Sequence, residues 1–236
     1  MALPVYLAMT AAEIELCEAM PERIAWMACH FSPYGLGLSN IPRQLPQGSL
    51  LILNDRTPVQ EHDPDLVAWQ LAESVENLGL EGVLLDFQRP ENPQTEAIVR
   101  AVTQTLPCPV AVTEGYAQGV SCPVFLEAPR SYHRLKDRIR HWEGRELWLD
   151  ASYSSGCVTV TESGSQYAPS PDFPDHLPIL REETLHCSYC VQKAEDTIIY
   201  YFRRTHDDLL ALLDDAAELG ITKAVGLYQE LAPAFI

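Results

Sequence analysis

Positive charge is scarce in this chain: 16 Lys and Arg stand against 33 Asp and Glu over 236 residues, a formal net charge of −17. Nucleic acid and anionic membrane surfaces both recruit a surplus of positive charge, so neither is expected as the main partner. No apolar run approaches the roughly 18 residues that a membrane span needs. The N-terminus reaches Glu13 before any Lys or Arg, so it lacks the basic start of a secretion signal. No glycine-rich phosphate turn follows the first apolar run, VYLAMTAAE, which disfavours an open dinucleotide-binding sheet. No Gly-x-Ser-x-Gly elbow presents a serine nucleophile. The seven cysteines are odd in number and scattered, which reads as reduced thiols in a cytoplasmic protein. With 47% hydrophobic residues a large core can be buried, and a single soluble domain over 1–236 is expected.

Short apolar runs recur instead: VYLAM (5–9), IAWMACHF (24–31), SLLILND (49–55), GVLLDF (82–87), PVAVTE (109–114), PVFLE (123–127), ELWLDA (146–151) and KAVGLY (223–228). Near-continuous hydrophobicity marks strands buried on both faces. Helical signatures lie between them. Asp63-Pro64 is an N-cap followed by proline, Val67, Leu71, Val75 and Leu78 share one face, and Gly79 is a stop. Thr205 opens a second helix lined by Leu209, Leu212, Leu213 and Ala216, ending at Gly220. Ala11–Met20, Thr95–Leu106 and Tyr132–Trp142 are further helix candidates. Eight strands alternating with helices in this length predict an α/β fold, a closed (β/α)8 TIM barrel, with a doubly wound open sheet as the alternative.

Residues 152–204 break the alternation with β-like pieces around the proline-rich YAPSPDFPDHLP. Thr184–Arg204 reads as a hairpin turning at KAED, so the segment is expected to be an insertion between strands seven and eight, over the barrel mouth or its rim. It contains His186 and the pair Cys187 and Cys190. Without a second such pair, and with strand alternation around them, these read as hairpin residues and not as zinc ligands or a redox motif. The glycine-containing segment SPYGLGLSN (32–40) reads as a long loop at the mouth, consistent with gating.

Reactive groups of such barrels gather at the C-terminal strand ends. Here those ends carry His30, Ser32 and Tyr34; Asn54, Asp55 and Arg56; Asp86, Gln88 and Arg89; Glu114 and Tyr116; Glu127; Asp150 and Tyr153; and Tyr228, Gln229 and Glu230. Carboxylates with aromatics and amides around one concave mouth are the equipment of a carbohydrate site: acids move protons, aromatic faces stack on sugar rings, amides read hydroxyls. No cofactor and no metal is implied.

The run LGLEGVLLDFQ, ending at Gln88, resembles the strand-four signature of family 18 glycoside hydrolases, the chitinase-like barrels, whose pattern is Asp-Gly-x-Asp-x-Asp-x-Glu. The stretch DTIIYYFRRTHDDLLALLDDAAELGITKAVGLYQEL is similar to the same family's course from the insert hairpin to the last strand, closest to its spore-cortex and cell-wall members. In that alignment Glu81 takes the first Asp place, Gly82 matches, Leu84 replaces the second Asp, and Asp86 matches the third. Gln88 stands where the family has its catalytic Glu, which protonates the glycosidic oxygen while the neighbouring Asp orients the substrate's acetamido group. Tyr228 stands where the family has the tryptophan that floors the sugar subsite.

A glutamine amide has no titratable proton to give. The resemblance therefore implies a degenerate member that binds carbohydrate, such as amino-sugar or cell-wall fragments, without the usual hydrolysis. The alternatives are an active hydrolase that draws on Glu114, Glu127, Asp150 or Glu230, and a barrel with a vestigial site. Asp86, Glu114, Glu127 and Glu230 are the candidate catalytic residues. His30, Tyr34, Asp55, Gln88, Arg89, Tyr116, Asp150 and Tyr228 are the candidates for binding substrate.

Overall fold

The computed structural model describes residues 3–128, 135–153, 155–169 and 172–235. Eight strands form a closed parallel barrel: β1 (Val5–Met9), β2 (Ile24–Phe31), β3 (Leu50–Asn54), β4 (Gly82–Asp86), β5 (Val110–Thr113), β6 (Val124–Leu126), β7 (Leu147–Asp150) and β8 (Lys223–Leu227). Closure comes from β1, which pairs in parallel with β8 on one side and β2 on the other. Every run read as a strand from the sequence is one, and the open-sheet alternative is excluded. No helix among the described residues is long and apolar enough to cross a membrane.

Helices α1 (Ala11–Leu16), α2 (Pro64–Leu78), α3 (Pro93–Thr105), α4 (Leu135–His141), α5 (His206–Glu218) and α6 (Tyr228–Phe235) connect or follow the strands. Their ends follow local chemistry. Asp63 accepts the N–H groups of Asp65 and Leu66 to start α2, and Gly79 takes a left-handed φ of 62° to stop it. Thr205 and Asp208 cap α5 reciprocally. The first helix is shorter than its apolar pattern suggested, because Cys17 turns extended. Residues 132–134 of the fourth helix candidate lie outside the described residues.

Alternation along each strand divides the core in two. One set, including Leu51, Leu53, Val83, Leu85, Val112 and Leu149, faces out and packs on Leu71, Val75, Ile98, Val102, Leu209 and Leu213 of the helices. The other fills the barrel: Tyr6, Ala8, Ala25, Leu50, Ile52, Leu84, Ala111, Phe125, Trp148 and Val225. Its large rings sit toward the strand starts. A Cβ on Gly82 would lie 2.9 Å from Trp148 Cη2, so glycine there makes room for the indole. Below it, Glu81 accepts from Tyr6 Oη at 2.7 Å and pairs with Lys223 at 3.0 Å. Glu81, aligned to the family's first Asp, thus closes the barrel bottom, far from the strand ends. The small side chains Ala8, Ala25 and Ala111 leave room among them.

The insertion falls between β7 and β8, as expected, but holds more than a hairpin. It is a five-stranded antiparallel sheet with spatial order Gly164–Pro169, Gly156–Thr161, Thr197–Arg203, Cys187–Ala194 and Leu180–Glu182. The predicted hairpin is its centre, with Ala194 facing Thr197 across the turn. Arg204, buried, donates to the carbonyls of Ser152, Leu185 and His186, which stitches the sheet to the end of β7. Arg181 pairs with Asp208, and His186 Nε2 lies 2.7 Å from Asp215 Oδ2, so the sheet is moored on α5. Cys187 and Cys190 are buried thiols within one strand, their pKa values raised by burial.

Candidate functional site

At the C-terminal strand ends the barrel opens into a cavity of about 570 Å³. Its walls follow the inward parity. Ala8, Met27, Ile52, Asn54, Leu84, Asp86, Thr113, Phe125, Glu127, Asp150, Val225 and Leu227 are the inward positions of all eight strands or lie just past them. Asp55, Arg56, Gln88, Arg89 and Gly226 complete the lining. No described insertion residue is among these, so of the two expected places, over the mouth or at its rim, the insertion contributes nothing to the cavity wall itself.

Asp86 and Asp150 are the carboxylates at the floor. Burial comes first in raising the Asp86 pKa, with Gln88's hydrogen bond opposing it and the negative charges of Asp55 and Glu127 adding to it. The bond runs from Gln88 Nε2 to Asp86 Oδ1 at 2.5 Å. The Asp150 carboxyl is raised to about 6, again chiefly by burial, against a hydrogen bond from the Ala128 main chain and with Asp86, Glu230 and Glu127 adding repulsion. Part of its surface is open to the cavity, yet protein surrounds it on every other side, so desolvation dominates. A carboxyl held near 6 can both give and take a proton at neutral pH.

Asp55 lines the cavity and also holds the main chain beside it. It is only 3% exposed, and its two oxygens accept the main-chain N–H groups of Gln88, at 3.0 Å, and Arg89, at 2.8 Å. The carboxylate therefore clamps the turn after β4 onto the end of β3. Arg89 Nε returns a bond to the Asp55 carbonyl at 2.9 Å, and Tyr116 Oη donates to the Arg89 carbonyl at 2.9 Å. Tyr116 is buried against Phe87 and belongs to this scaffold, outside the cavity.

Several other candidates are not brought into the cavity. Glu114 leaves β5 on its outward parity, pairs with Arg138 of α4 and accepts from Trp142 Nε1 at 3.1 Å. Burial pulls the Arg138 pKa down to about 10, still well above neutral, so Arg138 keeps its charge. Glu230 accepts the Tyr153 N–H at 3.1 Å and caps the chain leaving β7. Tyr228 begins α6 with its hydroxyl 3.6 Å from Cys17 Sγ; Leu227, one residue earlier, lines the cavity in its place. His30 is held by its own hairpin, Nδ1 2.8 Å from the Phe31 carbonyl and Nε2 3.1 Å from Asn40 Nδ2.

Tyr34 is 97% exposed and is not among the described residues that line this cavity. Its segment is not a free loop. Leu38–Ser39 pairs back on His30 and Phe31, and the Leu38 N–H bonds to Gln70 of α2 at 2.8 Å.

Met27, Thr113 and Leu227 line the cavity without having been singled out in the sequence, and Asn54 and Arg56, named there only as polar strand ends, line it too. Counting inward parity from the barrel core would have found Thr113 and Leu227. Asn54 has a second duty: its amide donates to the Met27 and Cys29 carbonyls at 3.1 and 2.9 Å, bridging the register shift in β2. Among the described residues, no group of three or more His, Cys, Asp and Glu could hold a metal ion.

The class that this architecture defines is a (β/α)8 barrel with a carboxylate-floored cup at its C-terminal face. Solved structures that share the barrel fold include a chitinase and a spore cortex-lytic enzyme. The chitinase from Chromobacterium violaceum ATCC 12472 superposes with a TM-score of 0.57 at 7% identity, covering 95% of this chain and 93% of that one. The spore cortex-lytic enzyme SleL of Bacillus cereus gives 0.51 at 10% identity, over 95% and 70%. At such identities the likeness establishes the fold. No protein-family model and no curated protein sequence matches the chain.

Proposed function

We propose that this chain is a glycoside-hydrolase-like barrel that binds carbohydrate, of amino-sugar or cell-wall type, without hydrolysing it by the family 18 route. The observation that carries this reading is Gln88. It stands two residues past inward-facing Asp86, at the cavity edge, where that route needs a carboxylic acid. Its amide is engaged on Asp86 at 2.5 Å. An amide cannot protonate a leaving oxygen, and loss of general-acid catalysis costs a factor of ~10²–10⁴. The solved neighbours, a chitinase and a spore cortex-lytic enzyme, support the choice of sugar class. Recognition rests on polar groups, since Phe125 is the only aromatic ring among the described lining residues and is 7% exposed.

The test is a thermal-shift panel of chito-oligosaccharides and muropeptide fragments on the wild type and Asp86→Ala. A ligand at about 100 times its Kd stabilises the fold by ~2.7 kcal/mol. A shift with one sugar class that disappears in Asp86→Ala supports the proposal, and no shift with any sugar refutes it. Asp150, near pKa 6, favours one second reading: hydrolysis with Asp150 as the acid. Turnover that survives Gln88→Ala and is lost in Asp150→Asn would replace the first reading with this one.

A further inference from the structure

The cup is electrically lopsided. β3 and β4 are adjacent strands, and each is followed at the rim by an arginine, Arg56 and Arg89. β6 and β7, on the other side of the ring, bring Glu127 and Asp150. The two arginines are thus confined to the β3–β4 arc, which also carries Asp55 and Asp86, while the β6–β7 arc carries carboxylates alone.

The two arginines are neighbours by construction. Arg89 Nε donates to the Asp55 carbonyl at 2.9 Å and Nη2 to the Arg56 carbonyl at 3.2 Å, which fastens this guanidinium to the chain that carries the other. Arg89 Nη1 and the whole Arg56 guanidinium have no acceptor among the described residues. That is unusual company in a chain with 33 acidic residues to 16 basic ones, where a partner carboxylate is easily supplied. Two positive charges carried by neighbouring strands at this rim favour an anionic group there. Guanidinium forks match the planar, two-oxygen carboxylate, and a singly charged group is repelled less than a phosphate by the acids across the cup.

We propose that the saccharide bound in this cup carries a carboxylate, read by Arg56 and Arg89. This rests on the carbohydrate reading above and narrows its substrate class to acidic sugars. The carboxylate could be a lactyl ether on an amino sugar or the C6 acid of a uronate.

Titration calorimetry at low salt, on the full chain, separates these possibilities with three disaccharides: neutral N,N′-diacetylchitobiose, N-acetylglucosaminyl-N-acetylmuramic acid, and a hyaluronan disaccharide. The expected result is a Kd about ten-fold lower for one of the acidic sugars than for the neutral one, a difference of ~1.4 kcal/mol. Which acidic sugar it is identifies the source of the carboxylate. The preference should shrink in 0.5 M salt, fall toward one in Arg56→Gln, and be partly kept in Arg56→Lys. A thermal melt of each variant checks its fold. Equal affinity for neutral and acidic sugars, or a preference unchanged in Arg56→Gln, overturns this proposal and leaves the carbohydrate reading standing. Binding of none of the three overturns both.

Discussion

Arg89 gives its main-chain N–H to Asp55 Oδ2 at 2.8 Å, while Gln88 gives its own to Oδ1 at 3.0 Å. One buried carboxylate thereby sets where the chain goes after β4, and with it the positions of Gln88 and Arg89 at the cup. Asp55→Ala leaves both donors without their acceptor. At about 1–3 kcal/mol for each unsatisfied buried group, softened by water from the cavity, the expected loss is about 2–3 kcal/mol. Urea unfolding measures it, and Asp55→Asn, which keeps one acceptor oxygen, should fall between. An unchanged midpoint in Asp55→Ala would remove the clamp from this account.

Gln88→Glu offers the reverse experiment to a knockout. It puts a titratable carboxyl beside Asp86, where two negative charges at hydrogen-bond distance hold one proton between them. The expected outcome is new hydrolysis of a fluorogenic chitobioside, at least ~10² above the wild type. A variant that folds, binds the sugar and stays inert would place the defect elsewhere, with Leu84 and Tyr228 the other departures from the family 18 pattern that the sequence resembles.

Glu114 should behave as a structural residue. It holds Arg138, whose guanidinium also donates to the Glu127 carbonyl, and so ties α4 to the ends of β5 and β6. Glu114→Ala strands a mostly buried cation. The expected cost is about 2–3 kcal/mol, below the full value for a buried pair because part of the Glu114 side chain is exposed. Sugar affinity, measured well below the melting temperature, should stay within about two-fold. A loss of binding with full stability would return Glu114 to the site.

The barrel was legible because its strands are buried on both faces and announce themselves as unbroken apolar runs. The site was legible only in part, for a reason visible in parity. Asp86, Glu127 and Asp150 lie on the inward alternation and reach the cup. Glu114 and Tyr228 are each one residue off it, so strands of the right length carry them to the outside. A list of polar residues at strand ends ignores this, whereas alternation counted from Leu84 or Val225 would have separated them. Asp55 is a different case. It is off the inward parity yet at the cup, because its main-chain partners lie 33 and 34 residues ahead, a relationship that no local pattern carries. The extra strands of the insertion, Gly164–Pro169 and Leu180–Glu182, were hidden by exposure: residues with water on both faces leave no hydrophobic period to read.

Asp150 makes stability fall as pH rises. Its folded pKa is raised to about 6 from an ordinary 3.8, mainly by burial, with Asp86, Glu230 and Glu127 adding repulsion. Between those two values the folded chain keeps a proton that the unfolded chain has lost. The folded state thus binds more protons than the unfolded one, and the free energy of unfolding decreases with pH across that window. Above about 6 both states are ionised, and the folded one bears a charged carboxylate in a poorly solvated place.

Asp150→Asn keeps the shape without the charge, and Asp86, also raised, remains in both proteins. The variant should therefore exceed the wild type in stability at pH 7, with the gap closing as pH falls toward 4. Urea titrations of the pair at pH 4, 5, 6 and 7 give that difference directly. A gap that stays constant over this range, or widens toward acid, would mean that Asp150 is already ionised and solvated at the cup floor, and would take away its candidacy as a proton donor.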